Sequence, residues 1–500
     1  MQISLISPYG SLYNSGLRTI SSVLKNAGFN TRMIFLPMPS TESGWNISPF
    51  CHIKYPESLL ERLKAMTADS AVVGITLMDN YMQAGAQLTK ALKREDNFII
   101  LGGVFPTLNP EKALQYADAV CIGDGEDAML ELVRQLDAGT MPGAIDNIYF
   151  HGASYPKLAY IHDISTLPLP DYGPEGHYVY VEHSDEILSF KSLDDYKPFM
   201  SFWPDSSTKE PIYIYRMETA RGCPDNCTYC ANNILKKVQA PKVRFRTIEL
   251  IEEEILWVKE KFPYVTELFI EDDSFIARRD IRQTASLFKK YGLTFKCFFA
   301  PVYFTDELIT HLIECGMTAC QVGLQSRAPN TEEIYRRTAI NRNIDEVLKY
   351  FTEKHPGFPL IVDLIVDNPW EKAEDTLYTI HYLLDNMPKN TILGISSLVF
   401  YNSTALCNRA VKENILDTST DYQLKTWHWH RQNRIHYTTL LLVMLKLRLP
   451  RMLIRLLASK PVVFLLQRSL ITQRLIPGLV KAIKKHYHIV KGPNIKDSKY

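Results

Sequence analysis

The chain has 500 residues, 46% of them hydrophobic and 22% charged, with a formal net charge of +1. That length excludes a single hydrophobic core and predicts two to four domains of ordinary globular composition. The charge is unevenly placed: residues 438–492 hold eleven Lys and Arg and no Asp or Glu, leaving 45 basic against 55 acidic residues elsewhere. The opening MQISLIS reads as a buried strand, so a secretory signal is not expected. No run approaches the roughly 18 apolar residues of a membrane-spanning helix. The nine cysteines are odd in number, and six are scattered through apolar surroundings, which points to a reducing compartment rather than a disulfide framework.

In chain order, strand and helix signals alternate. ISLIS (3–7) is a strand, SGLRTISSVLKNAG (15–28) a helix ending on Gly28, TRMIFLP (31–37) a strand and SLLERLKAMTA (58–68) a helix. AVVGITL (71–77) is a strand, 82–94 a helix and NFIILGG (97–103) a strand. EKALQYA (111–117) is helical, AVCIG (119–123) a strand and EDAMLELVRQLDAG (126–139) a helix. This rhythm predicts a Rossmann-like, doubly wound parallel sheet over 1–140. Residues 141–210, rich in Pro and aromatics (LPLPDYGPEG, 167–176), lack clear periodicity and read as a connector with local structure that covers a site.

The alternation resumes over 211–400. Strands are expected at PIYIYRMET, TELFIEDD (266–273), 294–300, ACQVGLQS (319–326), PLIVDLIVD (359–367) and TILGISSLVF (391–400), with helices between them. About six such units predict a full or partial (β/α) barrel with its site at the C-terminal strand ends. Cys223–Cys230, Asp272–Asp273, Gln325–Ser326 and Asp367 all follow strands and would share that face. Residues 401–500 read as mostly helical.

The sequence TARGCPDNCTYCANN (219–233) places Cys223, Cys227 and Cys230 at the spacing C-x3-C-x2-C. A structural zinc site wants four ligands, and no second pair stands nearby. Three thiolates suit a four-iron cubane that leaves one iron open. Zinc, or a loop holding no metal, are the alternatives.

With Tyr229 in its aromatic place, this motif resembles the signature of the radical S-adenosylmethionine (SAM) superfamily over about 212–400. The resemblance implies a 4Fe-4S cluster whose open iron holds SAM and whose electron cleaves the sulfonium to a 5′-deoxyadenosyl radical. FIEDDSF (269–275) is similar to the family's motif for the SAM amino group, which makes Glu271, Asp272 and Asp273 candidates. VGLQS (322–326) resembles its ribose-side strand, with Gln325 where Glu is usual and Ser326 beside it. Arg337 and Asp363 are weaker candidates, since a solvated helix face and a strand-end charge explain them equally well.

No G-x-G-x-x-G follows the first strand, so a nicotinamide cofactor is poorly supported. ILGGVFPTLNPE (100–111) and CIGDGEDAMLEL (121–132) resemble cobalamin-binding domains fused to radical SAM cores, and LPLPDY (167–172) recurs between the two. That resemblance covers about 1–400 and implies cobalamin contacts from Thr76, Gly102, Gly103, Gly123, Gly125 and Glu126. The glycine turns would admit a bulky corrin. The loop SPYGSLYNSG (7–16) lacks the family's Asp-x-His-x-x-Gly histidine, so either cobalt has no protein nitrogen ligand, or His52 supplies it, or cobalamin is absent.

The basic segment 438–492 is either an interfacial helix for anionic lipid or a cap packed on the barrel. The aromatics at 426–437 precede it, but no RNA-binding domain is recognisable and nucleic acid is not expected. These features together predict a cytoplasmic enzyme, peripheral at the inner face of the membrane if the segment binds lipid. It would use a 4Fe-4S cluster, SAM and cobalamin to methylate an unactivated carbon of a small or lipid-like substrate, with electrons from a flavodoxin or ferredoxin. The alternatives are a radical SAM enzyme that cyclises, oxidises or rearranges, with or without cobalt, and a non-catalytic membrane-associated iron–sulfur sensor.

Overall fold

A computed structural model of the chain describes residues 1–9, 12–36, 54–181, 184–202, 210–416 and 437–468. His52, most of the aromatic segment 426–437 and the basic stretch beyond 468 lie outside the described residues.

The first sheet contains β1 (Gln2–Ser7), β2 (Asn30–Phe35), β3 (Val72–Thr76), β4 (Phe98–Gly102), β5 (Ala119–Cys121), β6 (Ile148–Phe150), β7 (His177–Val181) and β8 (Glu186–Ser189). Its order is β6-β5-β4-β3-β1-β2-β7-β8, parallel throughout except for β6 and β8 at the two edges. Chain order reverses around β1, which lies between β2 and β3. Beyond the carboxyl ends of such a reversal the loops diverge and leave a crevice. Alternate residues of β1 go to different cores. Ile3 and Leu5 pack with Leu17, Leu24 and Met129 from the helices Ser15–Asn26 and Glu126–Asp137. Ile6 packs with Leu59, Leu63 and Leu88 from Glu57–Met66 and Met82–Leu92. Both faces are therefore covered, as an interior parallel sheet requires.

The helix expected at 111–117 is instead two short helices, Val104–Leu108 and Pro110–Leu114. Pro110 has no N–H to continue the first and is well placed to begin the second.

The second sheet holds β9 (Ser201–Phe202), β10 (Ile212–Met217), β13 (Glu267–Ile270), β14 (Thr294–Phe299), β15 (Met317–Gln325), β16 (Leu360–Val366) and β17 (Ile392–Ser397), in the order β17-β16-β15-β14-β13-β10-β9. Six strands are parallel, and β9 runs antiparallel at the edge. The end strands β9 and β17 do not pair with each other, so this is a half-barrel. A two-stranded ribbon, β11 (Ala220–Arg221) with β12 (Arg244–Phe245), ties together the two ends of the segment that carries the cysteines.

The stretch 141–210 contributes β6, β7 and β8 to the first sheet and β9 to the second. Strands of two to five residues are too short to show a period-two signal. Within it, LPLPDY joins the two sheets. Asp171 accepts from Ser21 Oγ at 2.6 Å and pairs with Lys25 at 2.7 Å, while Tyr172 packs its ring on Tyr196, Tyr215, Trp257 and Phe262. The fully buried Arg18 guanidinium sits 3.8 Å above the Tyr172 ring.

The described part of the basic segment forms the helices Tyr437–Lys446, Arg451–Leu457 and Lys460–Arg468. Leu441, Leu445, Ile454 and Ala458 enter the core. Arg451 donates to the Met387 carbonyl at 2.6 Å, and Arg455 to the Leu384 carbonyl at 3.3 Å. These carbonyls end the helix Ala373–Asn386, where cations are favoured. The opposite side leaves Met452, Leu456, Phe464 and Leu465 exposed. Among the described residues no helix is long and apolar enough to cross a membrane.

Candidate active site

The crevice of the first sheet opens directly onto the cysteine segment of the second. The two enclose a cavity of about 390 Å³. One wall is built from strand ends and the following turns: Thr76 at the end of β3, Gly102 and Gly103 at the end of β4, and Gly123 to Glu126 after β5. The other is built from Arg221, Gly222, Asn232, Lys236, Glu271 and Asp273. Six sequence candidates for the first wall and two for the second are thus brought together by parallel-strand topology.

The glycines have distinct reasons. Gly103 has φ 95°, and a Cβ there would lie 2.8 Å from both the Leu77 carbonyl oxygen and Thr76 Oγ1. Gly123 has φ 83°, and its Cβ would meet the Val238 carbonyl at 3.3 Å. The fold itself therefore demands glycine at both turns, whatever approaches them from the cavity.

The three consecutive acids after β13 separate. Glu271 takes Arg216 at 2.8 Å and Asp273 faces the cavity. Asp272 turns away and is nearly fully buried; it accepts from the backbone N–H groups of Thr219 at 2.6 Å and Ala220 at 2.9 Å, and from the Thr219 hydroxyl. Burial pushes the Asp272 carboxyl up to about 7, against the pull of these donors. Asp272 thus holds the backbone just ahead of Cys223. Glu271 and Asp273 are also raised by burial, with Arg216 opposing the effect at Glu271.

Tyr229 stands edge-on to Tyr335, ring centroids 5.0 Å apart. Gln325 sits at the β15 bulge with φ 67°, and its amide folds back over Gly323. Ser326 is buried against Thr379 at 3.2 Å and Glu371 at 3.3 Å. None of these three lines the cavity. Gln321 donates to Asp363 at 2.6 Å farther down the half-barrel.

Three residues that sequence reasoning passed over, Arg221, Arg244 and Asp124, tie the walls together with Glu126. Arg221 pairs with Glu126 at 2.7 Å and Glu218 at 3.1 Å, and Arg244 pairs with Asp124. Asp124 lies inside the glycine turn and Arg221 two residues before Cys223, but no local pattern marks either as half of a pair.

Cys223, Cys227 and Cys230 are free and offer three separate sulfurs, the donor set that a four-iron cubane with one open iron asks for. Burial pushes Cys223 up to about 12 and Cys230 up to about 11, so ligation must displace protons.

The B12 binding domain family matches residues 1–133, and the Radical SAM superfamily matches residues 217–383. The chain is a B12-binding radical SAM protein. Its two domains imply a 4Fe-4S cluster, SAM and cobalamin. An uncharacterized methyltransferase of Pyrococcus horikoshii is 23% identical over 438 residues, 84% of this chain and 83% of the relative. The bacteriochlorophyllide d C-8(2)-methyltransferase of Chlorobaculum tepidum is 22% identical over 375 residues, 74% of this chain and 72% of the relative. Among solved structures, the radical SAM methyltransferase TsrM from Kitasatospora setae, with cobalamin and a [4Fe-4S] cluster, has a TM-score of 0.59 at 12% identity over 82% of this chain and 75% of its own. The cobalamin-dependent SAM radical enzyme OxsB, with aqua-cobalamin, has a TM-score of 0.62 at 13% identity, covering 99% of this chain and 82% of its own. The structural likenesses are likenesses of fold.

In this B12-binding radical SAM protein no histidine lines the cavity among the described residues. The loop after β1 presents Tyr9 there, with its hydroxyl 3.3 Å from Thr76 Oγ1.

Proposed function

We propose that this enzyme transfers a methyl group to an unactivated carbon of a small molecule, with both cofactors served by the one cavity. The observation that carries this reading is the shared wall. The glycine turns of the B12 domain and the residues flanking the cysteines line the same space, so groups bound to each would face one another. The methyltransferase names of the two sequence relatives support it. When bound, the cluster with SAM supplies a hydrogen-abstracting radical and cobalamin carries the methyl group.

The chain's own residues have separable tasks. Cys223, Cys227 and Cys230 hold the cluster. Glu271 and Asp273 stand where a cationic amino group would be drawn in, and Asp272 fixes the backbone that presents the loop. Thr76, Gly102, Gly103, Gly123 and Gly125 form the cobalamin wall, with Glu126 engaged by Arg221. In this reading 1–140 serves cobalamin, 141–210 couples the domains, 211–400 runs the radical chemistry and 401–500 caps it. A flavodoxin or ferredoxin supplies the electron in a cytoplasmic setting. The exposed apolar residues Met452, Leu456, Phe464 and Leu465, beside a segment without acids, support contact with an anionic lipid surface.

The test is anaerobic reconstitution with iron, sulfide, cobalamin, SAM and a low-potential reductant. The reading expects bound cobalt, 5′-deoxyadenosine and S-adenosylhomocysteine. Formation of 5′-deoxyadenosine without cobalt uptake would point to cobalamin-independent chemistry, and no nucleoside at all would leave an iron–sulfur sensor. Flotation with anionic vesicles that persists in Met452→Ser/Leu456→Ser/Phe464→Ser would reject the lipid contact.

A further inference from the structure

Arg337 lies two residues past the helix Pro329–Tyr335 and is almost fully buried. Its guanidinium is fixed on every side. Nη2 donates to the Gly323 carbonyl and to Asn341 Oδ1 at 3.1 Å, and Nε donates to the same oxygen at 3.3 Å. Asn341 is itself held, donating to the Leu324 carbonyl at 3.0 Å and to Glu332 at 3.1 Å. The remaining nitrogen, Nη1, points at Cys227 Sγ from 3.5 Å. Among the described residues Arg337 forms no ion pair with a carboxylate. The Asp225 carboxylate attracts it without forming a close ion pair, so this buried cation is only partly balanced, and an unbalanced buried charge is strongly unfavourable. The sulfur that receives its N–H is one of the three that would hold the cluster.

We infer that Arg337 is a positioning residue that raises the reduction potential of the cluster through its hydrogen bond to Cys227. Reduction adds one electron, drawn from an external low-potential protein donor, and neither makes nor breaks a bond at Arg337. The added negative charge is spread over iron and sulfur, so a fixed N–H and a full positive charge at one sulfur favour the reduced form. Hydrogen bonds to cluster sulfurs and net charge are established levers on such potentials. The rigidity matters as much as the charge: Arg presents a planar fork that Asn341 and Gly323 aim, which a flexible ammonium would not reproduce. The inference rests on the proposed ligation by Cys223, Cys227 and Cys230.

The experiment is a redox titration of the reconstituted full chain, read by the electron spin resonance of the reduced cluster, for wild type, Arg337→Gln and Arg337→Lys. Iron and sulfide content is measured first. Arg337→Gln is expected to keep the cluster and to be reduced about tenfold less readily at a given applied potential, which for one electron is about 59 mV lower. Arg337→Lys is expected to fall between it and wild type. A loaded Arg337→Gln with the wild-type potential overturns the inference. If that variant loads no cluster, Arg337→Lys is read instead: a lowered potential supports the directed contact, and an unchanged one overturns it. Wild-type loading that survives Cys227→Ala would instead overturn the ligand assignment, and the inference with it.

Discussion

Arg244 on β12 donates Nη1 and Nη2 to the two carboxylate oxygens of Asp124, the Nη2 bond at 3.2 Å. These residues lie 120 positions apart. Asp124 sits in the glycine turn of the B12 sheet, and β12 closes the cysteine segment of the half-barrel. With Arg221 on Glu126 two residues before Cys223, the pair fastens the two walls of the cavity at nearly buried positions. Such pairs gain little net stability over apolar contacts, because desolvation offsets the attraction, but breaking one strands a buried charge.

Arg244→Ala should therefore destabilise the protein by about 3–5 kcal/mol, and the double variant Arg244→Ala/Asp124→Ala should be milder than the sum of the singles. Denaturant unfolding of the four proteins measures this. Cobalamin affinity should drop with Arg244→Ala, because Asp124 lines the cavity; full additivity and unchanged cobalamin binding would show that these pairs do not clamp the two walls.

Asp272→Ala should act on the site without touching it. It leaves the Thr219 and Ala220 N–H groups without their acceptor, a loss of about 1–3 kcal/mol, and loosens the chain ahead of Cys223. Iron content after reconstitution should fall, and Asp272→Asn, which keeps an acceptor, should restore part of it. Equal iron content in all three proteins would argue against this role.

Cluster assembly should be favoured by rising pH. Burial holds Cys223 near 12 and Cys230 near 11, so both thiols are protonated in the apo protein and each must release its proton on ligation. Iron–sulfur absorbance after fixed-time reconstitution should increase between about pH 6.5 and about pH 8.5. A flat profile would contradict the buried-thiol account.

His177, fully buried between Asp171 and Tyr196, is pushed down to about 4 by burial, although Asp171 pulls the other way. The unfolded chain binds that proton near 6.5, so between the two values the unfolded state holds more protons. His177 then makes stability rise as pH goes from about 4 to about 6.5, with the full contribution above that window. The slope of unfolding free energy against pH should be less positive for His177→Gln than for wild type across that range. Identical slopes would refute it.

Leu441 lies in the basic segment yet is fully buried in the core. Leu441→Ala should cost about 2–5 kcal/mol, as for a domain core, and chemical denaturation would show it. A loss near zero would mean that this helix is detachable and not a cap.

Much of the architecture was legible because it rests on local pattern. Apolar runs broken by helical periods located β1 to β5 and six strands of the second sheet to within a few residues, and C-x3-C-x2-C with Tyr229 carried the resemblance that implied the chemistry. The weak points have physical causes. Pro110 divided one helix into two. The strands of 141–210 lie at or next to the sheet edges and run only two to five residues, too short to carry a period. Asp272 and Asp273 look equivalent as letters, but successive side chains at a strand end point to different sides, so one holds backbone and the other faces the cavity.

What linear order could carry was therefore the strand–helix rhythm, the cysteine spacing, the glycine turns and the uneven charge, since each depends on neighbours within a few residues. Which residues meet across the crevice was a matter of tertiary packing. Arg244 with Asp124, Arg221 with Glu126 and Arg337 with Cys227 join segments up to 120 residues apart. Arg244 with Asp124 and Arg221 with Glu126 span the two sheets, which pack together through Tyr172 on Tyr215 and Phe262, and a buried charge's effect depends on its partner and on the water it has lost.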